Sequence, residues 1–269
     1  MRAAIGVAIV VACLGAAVVG LRKQHGAPAP RPTFSIVFPE GLTRAQMAVR
    51  VGEAAMSASR ESHMRFALGE QTYIAASARA RIPCFGGTRT GLEGFLFPAT
   101  YDFDAATTAA QLVDAQLRAF CREWRTVDLS YARSQNLTSY DVLEIASMIE
   151  REVRSPDERS LVAAVIYNRL RAGMPLGLDA TLRYGLQIPA AQPILTSQLA
   201  DRTPYNTRLH AGLPPTPIAN PGLAAIRASA HPASVDYLYF VLRPDTDRQF
   251  FTASADAFYA YECAHGYGC

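Results

Sequence analysis

The sequence predicts an α+β protein with one membrane-spanning helix, a small mixed domain, and a larger, mostly helical domain that holds a few strands. Three observations support this prediction. An uncharged apolar run opens the chain, strand-like and helical segments alternate up to about residue 100, and helical patterns dominate afterwards. With 269 residues and 50% hydrophobic composition, the chain can bury a substantial core.

We divide the chain into three parts. Residues 1–32 form a membrane anchor with a Pro-rich spacer, residues 33–100 a small domain, and residues 101–269 the larger domain. The net charge is only +3, and no dense run of Lys or Arg is present. The charge therefore argues against a nucleic-acid-binding surface.

The predicted anchor covers residues 3–21, which carry no charge. As a helix it would be about 28 Å long, close to the thickness of the hydrocarbon core. A cleaved signal peptide is the competing interpretation, but such segments are shorter and end in a small-residue site, for which residues 27–29 are a poor match. Arg2 precedes the run and Arg22 and Lys23 follow it, so the charges leave the orientation open.

The small domain begins with the strand-like segment FSIVF, residues 34–38. Thr43 is placed to cap a helix that runs to about Met56, and more helical sequence follows to about Ala80. Residues 81–91 are rich in Gly and Pro, which predicts a loop. Residues 92–103 are aromatic and predict an extended segment.

The larger domain is predicted to begin with helices over residues 106–124 and around EIASMIEREV, residues 144–153. The next helix has a clear start, because Ser155 can cap it, Pro156 fits its first position and Glu158 can close a capping box. It ends near Gly173, and the short link predicts an antiparallel helix pair. A short helix at 224–230 and two strands, DYLYFVL and RQFFTA, follow.

Four cysteines lie outside the apolar run: Cys84, Cys121, Cys263 and Cys269. No C-x-x-C pair or His cluster accompanies them, so we predict no metal site. In an exported domain an even number of cysteines favours disulfides. Cys263 and Cys269 are near enough to close a small loop, which leaves Cys84 and Cys121 to pair. Free buried thiols remain the alternative.

Two acids, Glu150 and Glu152, stand near the end of the predicted helix 144–153. One face of that helix is apolar and carries Val142, Ile145, Ala146, Ile149 and Val153. The two acids fall on opposite borders of this face, so spacing alone does not choose between them. A carboxylate near a helix C-terminus and beside apolar neighbours has a raised pKa, as a glycosidase general acid requires. Two solvated surface acids are the alternative.

The second half of the chain contains polar segments that could line a substrate-binding cleft. Asn168 falls on the helix that follows, and two irregular segments, residues 175–185 and 205–222, combine Tyr, Asn and Thr with Pro. Segments of this kind often build a polar binding wall. A surface loop stiffened by proline is the alternative.

Five motifs, in the same order, resemble the YceG-like family of endolytic murein transglycosylases, called MltG. They are LEGFLFPATY, ASMIEREV, AVIYNRLRAGMPLGLDATLRYG, YNTRLHAGLPPTPIANPG and AIRASAHPASVDYLYFV, within roughly residues 92–252. In addition, PEGLTRAQMA, residues 39–48, resembles the start of the family's small LysM-like domain. The apolar N-terminal run also agrees with the family.

The resemblance implies a single-pass enzyme of the cell membrane with its catalytic domain outside the cytoplasm. Such an enzyme cleaves the β-1,4 bond between MurNAc and GlcNAc in peptidoglycan glycan strands. It leaves 1,6-anhydro-MurNAc ends, which would terminate the elongation of a nascent strand. No cofactor or metal is implied, and cell-wall synthases are implied as partners.

The resemblance also assigns roles to residues. Glu152 matches the catalytic acid, and one carboxyl group would act as both acid and base. The matched motifs imply the following substrate-binding residues: Asn168, Asp179, Thr181, Tyr184, Tyr205, Asn206, Thr207, Gly212, Leu213, Pro214 and Pro215. The chain departs from the family at Val153, where a hydroxyl residue is usual, at Arg208, where an aromatic residue is usual, and at Thr216, which replaces a Gly.

Two alternatives follow from these features. The departures at Val153 and Arg208 leave open a non-catalytic peptidoglycan-binding scaffold of the cell-wall synthesis machinery. The second alternative is a hydrolase, which would need a second carboxylate, and Asp179 is the only candidate for it.

The anchor predicts that a reporter enzyme fused to the C-terminus will be active only if it functions outside the cytoplasm. A fusion lacking residues 1–32 is the control and should lose export, because the apolar run is then absent. Reporter activity in the cytoplasm of the full-length fusion would contradict both the topology and the substrate.

Overall fold

The computed structural model of the protein describes residues 32–267. This region is a mostly helical α+β fold with three two-stranded antiparallel sheets, as the sequence predicts. No helix among the described residues is long and apolar enough to cross a membrane. The predicted anchor, residues 3–21, lies outside the described residues.

The first part of the described chain pairs two distant strands and adds a hairpin. Its elements are β1 (Phe34–Val37), α1 (Arg44–Ser62), α2 (Glu70–Ala76), β2 (Arg79–Ile82), β3 (Gly87–Thr90) and β4 (Thr100–Phe103). Strand β1 pairs with β4, with Ile36 opposite Tyr101, and β2 pairs with β3, with Ala80 opposite Arg89. The predicted cap of α1 is confirmed, since the Gln46 backbone N–H donates to Thr43 Oγ1 at 3.2 Å.

Three boundaries in this part were predicted wrongly. Helix α1 continues past Met56 to Ser62. The predicted helical sequence up to Ala80 is confirmed only for α2, which ends at Ala76. Residues 79–90 form the β2–β3 hairpin instead of a helix end and a loop, because Gly86 (φ +68°) accommodates the turn and the strands pair with each other. Residues 92–99 turn rather than extend, with Gly94 at φ +88°, and only Thr100–Phe103 forms a strand.

The second part is helical until its final hairpin. Its elements are α3 (Ala109–Trp124), α4 (Ser130–Ser134), α5 (Ser139–Glu152), α6 (Arg159–Arg171), α7 (Asp179–Leu186), α8 (Thr196–Leu199), α9 (Leu223–Ala230), β5 (Tyr239–Leu242), β6 (Gln249–Thr252) and α10 (Ala255–Ala264). The predicted short helix is α9, and the two predicted strands are β5 and β6, which pair antiparallel.

The predicted start of the helix after α5 was partly wrong. Pro156 does open a turn, but that turn is a 3₁₀ helix, Pro156–Glu158, and Ser155 makes no side-chain cap. Glu158 does not close a capping box. Its buried carboxylate instead accepts from the Gln249 backbone N–H of β6, at 3.1 and 3.2 Å. A tertiary partner has replaced the local cap.

Helix α5 contributes to both hydrophobic clusters of the described region. Its first half packs with β1, α1 and α3 in a cluster that includes Ile36, Met47, Phe120 and Val142. Its second half packs with α6 in a cluster that includes Ile145, Ile149, Val162 and Leu178. The described residues, 32–267, belong to one compact unit, and the division into two domains near residue 100 stays a prediction.

A disulfide joins Cys84, in the turn of the β2–β3 hairpin, to Cys121 of α3, with 5.4 Å between their Cα atoms. This pairing confirms the sequence prediction. Cys263 is also disulfide-bonded, and its predicted partner, Cys269, lies outside the described residues.

We expect that replacing both Cys84 and Cys121 by alanine will lower the free energy of unfolding by about 3–4 kcal/mol, since the disulfide closes a long loop in the unfolded chain. The two cysteines are separated by 37 positions. Urea denaturation of the oxidised proteins measures the difference. Ser57→Ala is the control, because Ser57 is an exposed residue of α1 and takes no part in a disulfide. Equal midpoints for the wild type and the double variant would contradict the expectation.

Candidate active site

Helix α5 carries its terminal acids on a rigid, buried support. Thr138 caps it in a capping box, in which the Thr138 N–H donates to Asp141 Oδ2 at 2.6 Å. Every residue from 142 to 149 is buried. The helix stops at Glu152 because Val153 takes an extended conformation (φ −94°, ψ 128°). Glu152 is therefore the last helical residue of a helix that the core holds in place.

Glu152 meets the first turn of α7. Its Oε1 accepts a hydrogen bond from the Ala180 backbone N–H at 3.3 Å. Burial raises the pKa of Glu152 to about 7, and the Asp179 carboxylate adds to the rise, whereas the hydrogen bond from Ala180 opposes it. The residue as a whole is still partly exposed. A carboxyl group whose pKa lies near neutral pH is suited to general acid–base chemistry.

Glu150 has a different environment. Its Oε2 accepts from the Gly222 backbone N–H at 3.0 Å, at the N-cap of α9. Burial raises its pKa, the Gly222 bond opposes this, and the nearby Glu40 adds to the rise. Glu150 therefore ties the end of α5 to the start of α9.

An ion pair lies beside Glu152. Arg208 Nη2 donates to Asp179 Oδ1, and the two side chains are 41% and 52% exposed. Arg208 is one of the departures from the family pattern. Because Asp179 raises the pKa of Glu152 and Arg208 lowers it, the pair has opposing influences on the acid.

Three of the predicted substrate-binding residues are buried supports of this arrangement. Thr181 and Thr207 share a hydrogen bond between their hydroxyls at 2.9 Å, and Thr207 Oγ1 accepts from the Leu178 N–H at 3.0 Å. Asn206 Nδ2 donates to the carbonyls of Leu199 and Asp201. These bonds fix the start of α7 against the loop that begins at residue 205.

Tyr184 and Tyr205 form a partly exposed aromatic wall. Their rings meet edge to face with centroids 5.1 Å apart. The Tyr205 hydroxyl lies 2.8 Å from Thr216 Oγ1, and the Tyr184 hydroxyl donates to Glu93 Oε2 at 3.1 Å. Thr216, another departure from the family, is therefore part of the wall's hydrogen bonding.

The remaining predicted residues fall into two places. Gly212 has φ +92°, Leu213 packs against the second hydrophobic cluster, Pro214 is buried and Pro215 is exposed. Asn168 lies apart from the Glu152 group, since its Nδ2 donates to the carbonyls of Val235 and Tyr237 at 2.9 Å each.

Two cavities lie on the α4–α6 side of the protein. One, of about 620 Å³, is lined by Leu137, Tyr167 and Leu213, and the other, of about 560 Å³, is lined by Tyr131 and Asn168. Glu152 lines neither of them.

Sequence reasoning missed Glu93, within LEGFLFPATY. Only 8% of this residue is exposed, and Oε1 accepts from the Arg44 N–H and from Asn220 Nδ2, each at 2.9 Å. Burial raises its pKa to about 7, against the opposing hydrogen bonds from Arg44, Tyr184 and Asn220. An acid inside an apolar run was the signal that could have identified it.

The fold and the site together define a mostly helical protein with a carboxyl group of raised pKa at the end of a buried helix, hydrogen-bonded to the first turn of α7. The chain belongs to the YceG-like family, whose model matches residues 16–261. The resemblance drawn from the five motifs is thereby confirmed.

Known relatives agree with this assignment. An endolytic murein transglycosylase of Streptococcus pneumoniae strain R6 is 34% identical over 224 residues, 77% of this chain and 40% of the relative. Another, of Bacillus subtilis strain 168, is 36% identical over 160 residues, 59% of this chain and 44% of the relative. This chain therefore spans less than half the length of these curated relatives.

The fold is also similar to a crystal structure of a yceG-like protein from Listeria monocytogenes. The TM-score is 0.67 at 28% identity, and the match covers 86% of this chain and 76% of that one.

We expect the free energy of unfolding to depend on the protonation of Glu93. Its pKa rises from the ordinary 4.5 to about 7 in the folded protein, so the folded state holds the proton more tightly. The stability of the wild type relative to Glu93→Gln should then fall by about 1–3 kcal/mol as pH rises from 4.5 to 7, and level off above. Urea denaturation of both proteins across this range measures it. A difference independent of pH would contradict the expectation.

Proposed function

We propose that this chain is an endolytic peptidoglycan lytic transglycosylase that cleaves the MurNAc–GlcNAc β-1,4 bond and leaves 1,6-anhydro-MurNAc ends. Membership of the YceG-like family and the names of the relatives support the reaction class. The observation that carries the proposal is Glu152, a partly exposed residue whose carboxyl group has a pKa of about 7 and accepts a hydrogen bond from the Ala180 N–H.

In the proposed reaction one carboxyl group acts twice. Protonated Glu152 donates its proton to the glycosidic oxygen as the bond from that oxygen to C1 of the muramic sugar breaks. The resulting carboxylate then takes the proton from the C6 hydroxyl of the same sugar, whose oxygen attacks C1. Glu152 ends protonated, and no water is consumed. The two-carboxylate arrangement of hydrolases is not needed.

The neighbours of Glu152 fit both protonation states. Burial favours the neutral acid that starts the reaction, and the Ala180 N–H stabilises the carboxylate that forms next. Val153 offers no hydroxyl to this carboxylate, and its own N–H donates to the Ile149 carbonyl within the helix. The backbone of α7 therefore supplies the hydrogen bond to the acid.

Substrate contacts are proposed for the exposed and partly exposed members of the predicted set. Tyr184 and Tyr205 offer ring faces to sugar rings, and Asp179 stands beside the acid with Arg208. Thr181, Asn206 and Thr207 are buried, so we propose that they hold the loop that begins at residue 205 in place rather than contact the substrate. Asn168 would not contact the substrate at Glu152, and it would influence the site only through residues 235–237, to which it is hydrogen-bonded.

We further propose that residues 3–21 anchor the protein in the cell membrane and that the rest lies outside the cytoplasm. The Cys84–Cys121 disulfide supports this, since such bonds persist in oxidising compartments. Within this proposal residues 33–100 act as a LysM-like domain, and cell-wall synthases are the partners, so that cleavage ends the growth of nascent strands.

A non-catalytic peptidoglycan-binding scaffold is the second candidate. The departures at Val153 and Arg208 favour it, because they alter positions that adjoin Glu152 in the sequence or through Asp179. The two candidates share a ligand and differ in whether Glu152 exchanges a proton.

Glu152→Gln should lower the rate of anhydro-product formation by roughly two or more orders of magnitude, because an amide cannot donate and recover the proton. Mass spectrometry of purified peptidoglycan digested by each protein measures this. Glu150→Gln is the matched control and should retain most activity, since its amide oxygen can still accept from Gly222.

The other outcomes separate the alternatives. Loss of product with Glu150→Gln alone would reverse the assignment of the two acids. Binding of glycan by a wild type that releases no product would favour the scaffold. Reducing ends in place of anhydro ends would show a hydrolase.

A further inference from the structure

The β2–β3 hairpin places a cation against α5. The guanidinium carbon of Arg89 lies 4.7 Å from the centroid of the Tyr140 ring. On the core side, the Tyr140 ring stacks on Phe95 with centroids 6.2 Å apart. The Cys84–Cys121 disulfide fixes the hairpin turn to α3. Arg89 is therefore held over a ring whose position is itself fixed.

The Arg89 guanidinium makes no hydrogen bond or ion pair with any of the residues 32–267, and Arg89 is partly exposed. A guanidinium over an aromatic face keeps its N–H edges free, because the attraction to the ring uses the flat face. These edges are suited to a planar anion such as a carboxylate. Nothing in the described region occupies them.

Arg89 acts on one acid of α5, Glu144, without forming an ion pair with it. Glu144 stands one turn after Tyr140 on α5 and is 4% exposed. Burial raises its pKa to about 8, Asp141 adds to the rise, and Arg89 opposes it. Glu144 therefore binds its proton more tightly than an exposed glutamate does, and it forms no ion pair with Arg89.

This cation lies along the same helix as Glu152. Tyr140, over which Arg89 lies, and Glu152 are twelve residues apart, which corresponds to about 18 Å along α5. Tyr205 stands close enough to Tyr140 to contribute to its raised pKa of about 12, and the Tyr205 ring contacts Tyr184 of α7. Tyr140, Tyr205 and Tyr184 thus form a row from Arg89 to α7. The first turn of α7 donates a hydrogen bond to Glu152.

We propose that Arg89 and Tyr140 form a second binding subsite, which takes a carboxylate carried by the peptidoglycan strand while a sugar unit of that strand lies at Glu152. The carboxylate belongs either to a stem peptide or, where the stem is absent, to the lactyl arm of the muramic sugar. The bare sugar backbone carries no carboxylate and gains nothing from Arg89. This inference rests on the proposed function, because it assumes a peptidoglycan ligand.

Binding to the full chain carrying Glu152→Gln tests the subsite without cleavage. Three ligands of equal sugar number are compared by calorimetry: stem-bearing peptidoglycan fragments, fragments stripped of stems so that the lactyl carboxylate is free, and chito-oligosaccharides. Arg89→Met should weaken binding of a carboxylate-bearing ligand about tenfold and leave chito-oligosaccharide binding unchanged. Whichever carboxylate-bearing ligand loses affinity identifies the source of the carboxylate.

Arg81→Met is the matched control, because Arg81 lies on β2 of the same hairpin, is exposed, and should leave all three affinities unchanged. Equal losses for all three ligands, or no loss for any, would overturn the inference. The proposed function fails separately: if Glu152→Gln still cleaves, only the catalytic assignment is lost, and the dependence on Arg89 stands or falls by itself.

Discussion

The site depends on a buried polar junction around Asn220. Its side-chain oxygen accepts from the Leu96 N–H at 3.0 Å, and its amide donates to the Leu42 carbonyl and to Glu93 Oε1, each at 2.9 Å. Its backbone bonds to Gly41 and Leu42 as well. The junction therefore joins three segments that are far apart in the sequence. Each buried group left without its partner would cost about 1–3 kcal/mol, so the segments hold together or separate as a unit.

Two helices, α7 and α5, connect the Asn220 junction to Glu152. Glu93 accepts from Tyr184 of α7, and the first turn of α7 donates to Glu152. On α5, Ser147 Oγ accepts from the Ile218 N–H at 3.0 Å, which fixes the loop before Asn220 to the helix. A Cβ on Gly94 would lie 2.7 Å from Pro217, so a glycine is required for the two loops to approach. Glu152 is thus positioned through contacts that begin at the Asn220 junction.

Sequence reasoning succeeded where neighbours in the chain decide the structure. The Thr43 cap, helix α9 and the final strands follow from local patterns. It failed where a distant partner decides. The β2–β3 hairpin is defined by strand pairing, and Glu158 leaves its expected cap for Gln249, 91 positions away. Glu93 was missed for the same reason, since its partner Asn220 lies 127 positions along the chain. The position of Glu152 at the helix end was predicted, but its contact with Ala180 was not.

The three departures from the family pattern each have a partner of their own. Val153 packs against the second hydrophobic cluster, Arg208 pairs with Asp179, and Thr216 bonds to Tyr205. Of these, only the Arg208–Asp179 pair acts on the charge of Glu152, and its two members act in opposite directions. Burial therefore sets the pKa of Glu152, and burial depends on α5 and α7 rather than on the altered positions. The departures change the residues around Glu152, but they leave in place the burial that raises its pKa.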